Sequence, residues 1–441
     1  MAKLPNWIGV SVAVLTVVSA EAALQANGNR GTQVMQIPVA GRPSEVCVIP
    51  KHLPDADFDD KDGKEEKNLC GYDIHTTTAV CPKLNSTNPG LDFYEIPTGA
   101  TKEQFEASRC KTPKSHMVAK YKLSTSCSYT PSILAYYHMS RILGGVAEVP
   151  QSVIRTVDIH THIQLGEKAL AESKPTDLIH QNWNTLMGVL TAGINSPRRD
   201  LILTDDFQQS YGALSSKPKH EVFYHEFFNG GADNVARAAN FKNGPIMALQ
   251  ARRDDVANFV GRAFTAANVQ HMLQMKDASE MVILDTLLSQ QDRFGNVHEV
   301  NTFMYLDQTG KLQDDDKLAP ADVTKLGAVS VKKMMLKDND CGVNKVNIAA
   351  QAGLLAGIGH LDPNTYQRLL KLNAEADQAA VQNYFKQELL FTPADYARFR
   401  TNLKTMSSTL YNGCKAGTVR LDLDLNAHFS KAAIKPVSCE I

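Results

Sequence analysis

The segments LDTLLSQQDRFGN (284–296) and MMLKDNDCG (334–342) decide how this chain is read. The first leaves an apolar run, MVILDTLL, of the kind that forms a buried helix, and opens into a polar loop at Asp292-Arg293 with Asn296 close behind. The second is a hydrophobic strand pattern that delivers Asp338, followed by Asp340 and Gly342. Asp292 and Asp338 stand 46 positions apart. Taken singly, an Asp-Arg pair in a loop is commonly a surface ion pair, and Asp and Asn are ordinary turn residues. A buried helix and a buried strand that each end on an acidic loop are a more specific arrangement.

Upstream, the text alternates as strands do. AVCPKLN (79–85) and LDFYEI (91–96) flank the turn STNPG (86–90), and HMVAKYKL (116–123) is a third strand. Lys120 and Lys122 share one of its faces. A helix is expected over 130–145, with Thr130 as N-cap, Pro131 at the first helical position and Gly144 after its end. LILTDD (201–206) and HEVFYHEFF (220–228) read as another strand pair. Residues 256–290 read as largely helical, with Ser279 as a cap for EMVILDTLLSQ. TFMYLD (302–307) and VSVKKMML (329–336) read as strands around a polar loop, and 349–410 as helices broken at Pro363 and Pro393. The order predicts an α+β fold.

The chain has 441 residues, 43% of them hydrophobic and 21% charged, which is the balance of a globular protein. Lys+Arg is 46 against Asp+Glu 47, so no charge excess argues for nucleic acid or an anionic membrane as a partner. Lys3, the apolar run Trp7 to Val18 and Ala20-Glu21-Ala22 have the form of a secretory signal peptide. Export to a periplasm, the extracellular space or a secretory-pathway lumen is therefore expected, with no membrane span in the mature chain. Eight cysteines without a CxxC predict disulfides, and five of them fall between residues 47 and 127. Their pairing is open. Asp55, Asp57, Asp59 and Glu66 stand at EF-hand loop positions 1, 3, 5 and 12, but Asp60 occupies the position that needs Gly. Residues 51–67 are accordingly read as a solvated acidic loop.

Phosphoryl transfer asks for the residue types gathered here. One carboxylate orients or deprotonates the attacking hydroxyl, another with a polar helper holds Mg²⁺ against the phosphates, and a lysine neutralises phosphate oxygens. A turn with free N–H groups covers the phosphates. Asp292, Asp338 with Asn296, Lys120, and the turn residues Ser86, Thr87 and Gly90 can fill these posts. Lys122 and Lys83 are further lysine candidates.

Over roughly residues 75–390 the chain resembles the atypical protein-kinase-like superfamily. That group includes HipA-type toxin kinases, type II phosphatidylinositol 4-kinases and secreted Golgi casein kinases. QQDRFGN resembles its catalytic loop, LKDNDCG its metal-binding turn, ILAYYHMSRILGGVAEVP (133–150) the helix after the lysine strand, and HLDPNTYQRLLKL (360–372) its helical tail. The resemblance implies a bilobal fold: a small β-rich N-lobe at 70–150 and a larger, mainly helical C-lobe at 151–441, after a signal peptide (1–22) and an acidic extension (23–69). It implies ATP and Mg²⁺ or Mn²⁺ as cofactors, Asp292 as base, Asp338 and Asn296 as metal ligands and Lys120 as phosphate lysine. The acceptor would be a hydroxyl on a protein, glycan or lipid.

Three positions depart from the family pattern. Asn296 stands four residues after Asp292, where the family has five. The helix at 131–143 offers no Glu or Asp to pair with Lys120. The Asp292–Asp338 spacing requires an insertion around 308–328. A nucleotide-binding pseudokinase is one alternative. Another is a metal-dependent amidohydrolase using VDIHTH (157–162), in which His160 and His162, with His271 and His298, would bind the metal.

Overall fold

The structure is a computed structural model describing residue 31 and residues 33–218, 220–227, 230–430 and 437–440. The signal-peptide reading of 1–22 lies outside the described residues. Seven strands form one antiparallel sheet: β1 (Gln33–Val39), β2 (Arg42–Ile49), β3 (Thr78–Pro82), β4 (Gly90–Glu95), β5 (His116–Lys122), β6 (Ser152–Asp158) and β7 (Gln209–Ser216). Their order is β1-β2-β6-β7-β5-β4-β3. A second antiparallel sheet is built on β9 (Val297–Leu306), which pairs with β8 (Val222–Phe223), β10 (Leu312–Asp315) and β11 (Val329–Leu336). Helices make up most of the rest, so the fold is α+β.

Period-two alternation sets what each face of the large sheet touches. Val46, Val48, Ile154 and Ala213 face one way and join the core formed by the helix Thr130–Ile142 and the helix Ala266–Leu287. Cys47, Leu91, Phe93, Tyr121 and Val153 face the other way, against Trp183, Leu186 and Leu190 of the helix Leu178–Ala192. Each large side chain sealed in this way contributes about 1.5–3 kcal/mol. The first core runs on without a break into the tail helices Pro363–Glu375 and Pro393–Lys415.

The hairpin β3–β4, the lysine strand β5 and the helix after it stand where the sequence puts them. Gly90 opens β4 because a Cβ there would meet the Tyr121 carbonyl oxygen at 2.7 Å. The helix begins one residue earlier than expected: Tyr129 is the N-cap, and Thr130 is already helical, its N–H bonded to Ser124 Oγ. Gly144 follows the C-cap Leu143 with φ +99°, the left-handed conformation expected of it.

Other expectations need correction. The sheet is not confined to 70–150, since β1 and β2 come from the presumed acidic extension and β6 and β7 from beyond residue 150. LILTDD is not a strand: Arg199–Ile202 is a helical turn, and the strand is β7, just downstream. Among the described residues of HEVFYHEFF, the strand is Val222–Phe223 alone, paired with β9. Ser279 is interior to the helix Ala266–Leu287, whose cap is Thr265. From Asp277 onward that helix is buried on every face, so no amphipathic boundary marks its start.

The acidic segment 51–67 is a largely exposed loop only as far as Asp59, and from Asp60 it is helix. Asp59 and Asp62 form a reciprocal capping box that starts the helix Asp60–Gly71. Asp62 then pairs with Arg141 at 2.7 Å, and Glu66 accepts from Tyr137 and meets His52. Burial and the Arg141 bond act in opposite senses on Asp62, and the bond prevails, holding its carboxyl below the usual range.

All eight cysteines are paired: Cys47–Cys70, Cys81–Cys110, Cys127–Cys341 and Cys414–Cys439. Such usage belongs to oxidising compartments. Three bridges close short loops, each stabilising by about 3–4 kcal/mol in the chain-entropy view. Cys127–Cys341 spans 214 residues and contributes about 5 kcal/mol on the same basis. Among the described residues no helix is long and apolar enough to cross a membrane.

Candidate functional site

Strand β5 runs between β4 and β7, so Lys120 and Lys122 project from the middle of the sheet. They line a cleft together with Ser215 and Ser216 of β7 and Lys337 and Asp338 at the end of β11. The Lys122 ammonium lies 3.0 Å from Asp338 Oδ1 and 3.0 Å from Asp340 Oδ2. The MMLKDNDCG segment therefore does deliver its carboxylates to the lysine strand, 216 residues away in sequence. The lysine in contact is Lys122. Lys120 lies in the same cleft but makes no ion pair among the described residues.

The charges are mutually adjusted. Burial alone would raise the Asp338 carboxyl, but Lys122, Lys120 and Lys83 outweigh it and hold it well below the carboxylate range. Asp340 is lowered in the same way, burial being overcome chiefly by Lys122. Burial likewise disfavours the Lys122 ammonium, and the two carboxylates reverse the effect and raise its pKa. Lys83 has no such close partner: burial, assisted by the Lys122 charge, pushes it down to about 8. Asp92 faces Lys120 across the β4–β5 ladder, and burial raises it despite Lys83, Lys120 and Lys122. At the mouth, Lys337 and Lys217 both bond Glu221. Burial would raise that carboxyl, but these bonds and charges bring it down to about 2.

The loop that carries Asp338 is over-determined. Asp338 itself adopts φ +53°, and Val343 adopts φ +65°, a costly conformation for a β-branched residue. Sparsely populated backbone of this kind survives only where surrounding contacts enforce it. Those contacts are present: Ser132 Oγ donates to the Asn339 carbonyl at 2.6 Å, Tyr129 N–H to the Asp340 carbonyl at 2.9 Å, and Val343 N–H to the Leu288 carbonyl. Gly342 is required by this closeness, because a Cβ would stand 2.5 Å from Ser132 Oγ. Next to it, Cys341 is tied covalently to Cys127.

Arg293 stitches the two loops together. It is fully buried, pairs with Asp285 at 3.0 Å, and donates to Asn339 Oδ1 at 2.6 Å and to the Lys337 carbonyl at 3.1 Å. Tyr136 donates to Asp285 at 2.7 Å and places its ring beneath the guanidinium. Gln291 N–H adds a bond to the Cys341 carbonyl. The Asp-Arg motif thus works through its arginine as a brace, a role the sequence reading assigned to neither residue.

Asp292 is less constrained. It is half-buried, accepts from Asn234 Nδ2 at 3.0 Å, and is not among the residues lining the cleft. No hydrogen bond or ion pair joins it to Asp338 among the described residues. Asn296 turns back into its own loop, its amide donating to the Asp292 carbonyl at 2.7 Å. In the STNPG turn, Ser86 Oγ takes the Asn88 N–H, the Thr87 carbonyl takes Asn182 Nδ2, and Pro89 has no N–H, so few donors face outward. The side chain that reaches the acidic loop is Asn88: Nδ2 lies 3.4 Å from Asp340 Oδ2, while its buried Oδ1 has no partner.

Asp338, Asp340 and Asn88 Oδ1 are hard oxygen donors of the kind Mg²⁺ or Mn²⁺ prefers. Among the described residues no three His, Cys, Asp or Glu side chains gather as a ready-made metal cage. A metal shared with a ligand's own oxygens fits such a sparse donor set better than a resident ion.

VDIHTH runs from β6 into the helix Ile159–Glu172, with Asp158 as the cap. His162 is buried against Ser210 at 2.7 Å, and burial takes its pKa down to about 3, while His160 is exposed. His271 is exposed on another helix, and His298 stacks on Phe223. The four do not converge.

No family model matches the chain, and no curated protein is significantly similar to it.

Proposed function

We propose that the chain is a kinase-like phosphotransferase, moving the terminal phosphoryl group of a Mg²⁺-bound nucleoside triphosphate, ATP by the family resemblance, to a hydroxyl acceptor. One observation carries the reading: a lysine on a central strand, lining a cleft, meets two acidic side chains of a distant, strained loop, of which Asp338 lines the same cleft. The strand succession supports it as well. A hairpin, a lysine strand, a helix and the strands β6, β7 and β8, with helices between them, precede an apolar helix with its polar loop, and β11, after β9 and β10, ends on the acidic turn. Protein kinases likewise draw their phosphate lysine from a strand and their metal-binding Asp from a later loop.

In this reading Lys122, with Lys120 and Lys83, binds the phosphate oxygens. Asp338 and Asp340, with Asn88 Oδ1 beside them, would hold the metal, whose chemistry is to neutralise phosphate charge as it develops. Asp292 takes the acceptor proton, and Asn234 fixes its carboxylate. Arg293 keeps the two loops in register without touching either reactant. Ser215, Ser216 and the backbone that follows β7 form the wall available to a base.

The test is the melting shift with Mg²⁺-ATP, which rises by mass action if the folded state binds it, together with release or transfer of γ-phosphate. Asp338→Ala should abolish the shift. Absence of any shift in the native chain would end the proposal. A second reading rests on the helix Thr130–Ile142, which carries no acidic side chain to hold the lysine. A pseudokinase would keep the melting shift and show no phosphate transfer to any acceptor or to water.

A further inference from the structure

Resting on the nucleotide reading above, we propose that Lys122 is a built-in counter-cation for the Asp338/Asp340 pair, so that the cleft accepts a divalent metal and a polyphosphate together and neither well alone. The ammonium is 3.0 Å from one oxygen of each carboxylate, and the Lys122 side chain is only 10% exposed. These oxygens are the donors a metal would use. A divalent ion arriving alone must displace the ammonium or sit beside it, against like-charge repulsion. Retreat of the ammonium is opposed by Lys120, which shares its face of β5, and by Lys83, near enough for its charge to be felt, while the buried Asp92 carboxyl already faces the charge of all three lysines. A polyphosphate changes this. It offers Lys122 new anionic partners and frees both carboxylates in the same event.

The polyphosphate alone meets the converse obstacle. It would approach three lysines but also the Asp338 and Asp340 carboxylates, which would lose their close ion pair once Lys122 turned away. Asn88, 8% exposed, reaches Asp340 through Nδ2, and its unpartnered Oδ1 is a further oxygen on that side chain. Coupling of this kind is reciprocal: the metal must tighten the polyphosphate by the factor by which the polyphosphate tightens the metal.

The experiment is calorimetric titration of the full chain with Mn²⁺ alone, with a non-hydrolysable β,γ-imido ATP analogue alone, and with each in saturating amounts of the other, repeated with sodium tripolyphosphate. The expected result for the native protein is Mn²⁺ affinity at least about tenfold tighter with the polyphosphate present, and the same factor in the reverse direction. In Lys122→Met, Mn²⁺ alone should bind about tenfold more tightly than to the native chain, and the synergy should collapse. Equal Mn²⁺ affinity with and without polyphosphate in the native protein would overturn the proposal, a measurement that stands even where the variant does not fold. Unchanged or weaker Mn²⁺ binding by a folded Lys122→Met would overturn it too. Binding of the ATP analogue without synergy sinks the counter-cation and spares the nucleotide reading. Synergy with tripolyphosphate but no binding of the ATP analogue does the reverse.

Discussion

Asp338 and Asp292 are held in opposite ways. Asp338 sits on strained backbone, gripped by Lys122 and fixed by a loop with six backbone or side-chain anchors and a cystine. Asp292 stands half-buried at the start of a turn with one side-chain partner, Asn234. The first arrangement is preorganised for charge, and its shape is part of the fold's stability. The second leaves a carboxylate whose final orientation depends on what lies against it. In the proposed function, a site divided this way would bind through one half and discriminate through the other.

The contrast can be broken at several points. The largest effect is expected at Asp292. Asp292→Asn should lower phosphate transfer by about 10²–10⁴-fold, the usual worth of a positioned base, with a melting temperature close to native. A rate within twofold of native would remove Asp292 from the chemistry. Arg293→Met addresses the brace. It leaves Asp285 charged and buried without its partner, which costs about 3–5 kcal/mol, and urea unfolding should report that loss along with weakened Mg²⁺-ATP binding. Asp338→Ala should cost about 1.5–3 kcal/mol, as expected for a charged hydrogen-bonded pair, whereas Asp292→Ala should cost almost nothing. Equal destabilisation of the two variants would contradict the comparison outright.

The smallest effect concerns pH. The Lys83 amine is brought down to about 8 in the fold, against an ordinary value of about 10.4 in the unfolded chain. The unfolded chain therefore binds more protons between those values, and the Lys83 contribution to stability improves as pH rises from about 8 to about 10.4. Polyphosphate binding, which uses the charged amine, runs the other way and should weaken severalfold between pH 7.5 and 9.5. Lys83→Met should flatten that dependence, and a slope unchanged in the variant would assign it to another group.

Much of the large sheet was legible because its signals are local. The hairpin and β5 alternate cleanly, Pro131 and Gly144 bracket the helix, and Pro363 and Pro393 each start one. Strand β7 was not legible. Its sequence, QSYGALSS, is small and polar, and it is central because Gly212 lets it approach β5, where a Cβ would meet the Lys122 carbonyl oxygen at 2.2 Å. Close backbone approach leaves no hydrophobic trace in one sequence. The acidic helix Asp60–Gly71 was misread for a related reason: its acids look solvated until Arg141 and Tyr137, more than 70 residues on, arrive as partners.

At the site, spacing identified the acidic turn and the strand that faces it but had no means of choosing between Lys120 and Lys122. Period two puts both on one face, and the choice depends on how far β11 extends before the chain turns. Arg293 was visible as half of a motif, yet its partner Asp285 was hidden inside an apolar run. Asn88 gave no signal beyond turn chemistry.

The Cys127–Cys341 link also has a consequence in time. During synthesis Cys127 emerges 214 residues ahead of its partner, which at about 5–20 residues per second is about 10–40 s. Throughout that interval the cysteines already made, Cys81 and Cys110 among them, are the thiols within reach. The order of manufacture therefore works against the correct pairing. Yield from refolding the finished, reduced chain should exceed yield from oxidising it as it grows, unless an isomerase is on hand to correct the early mistakes.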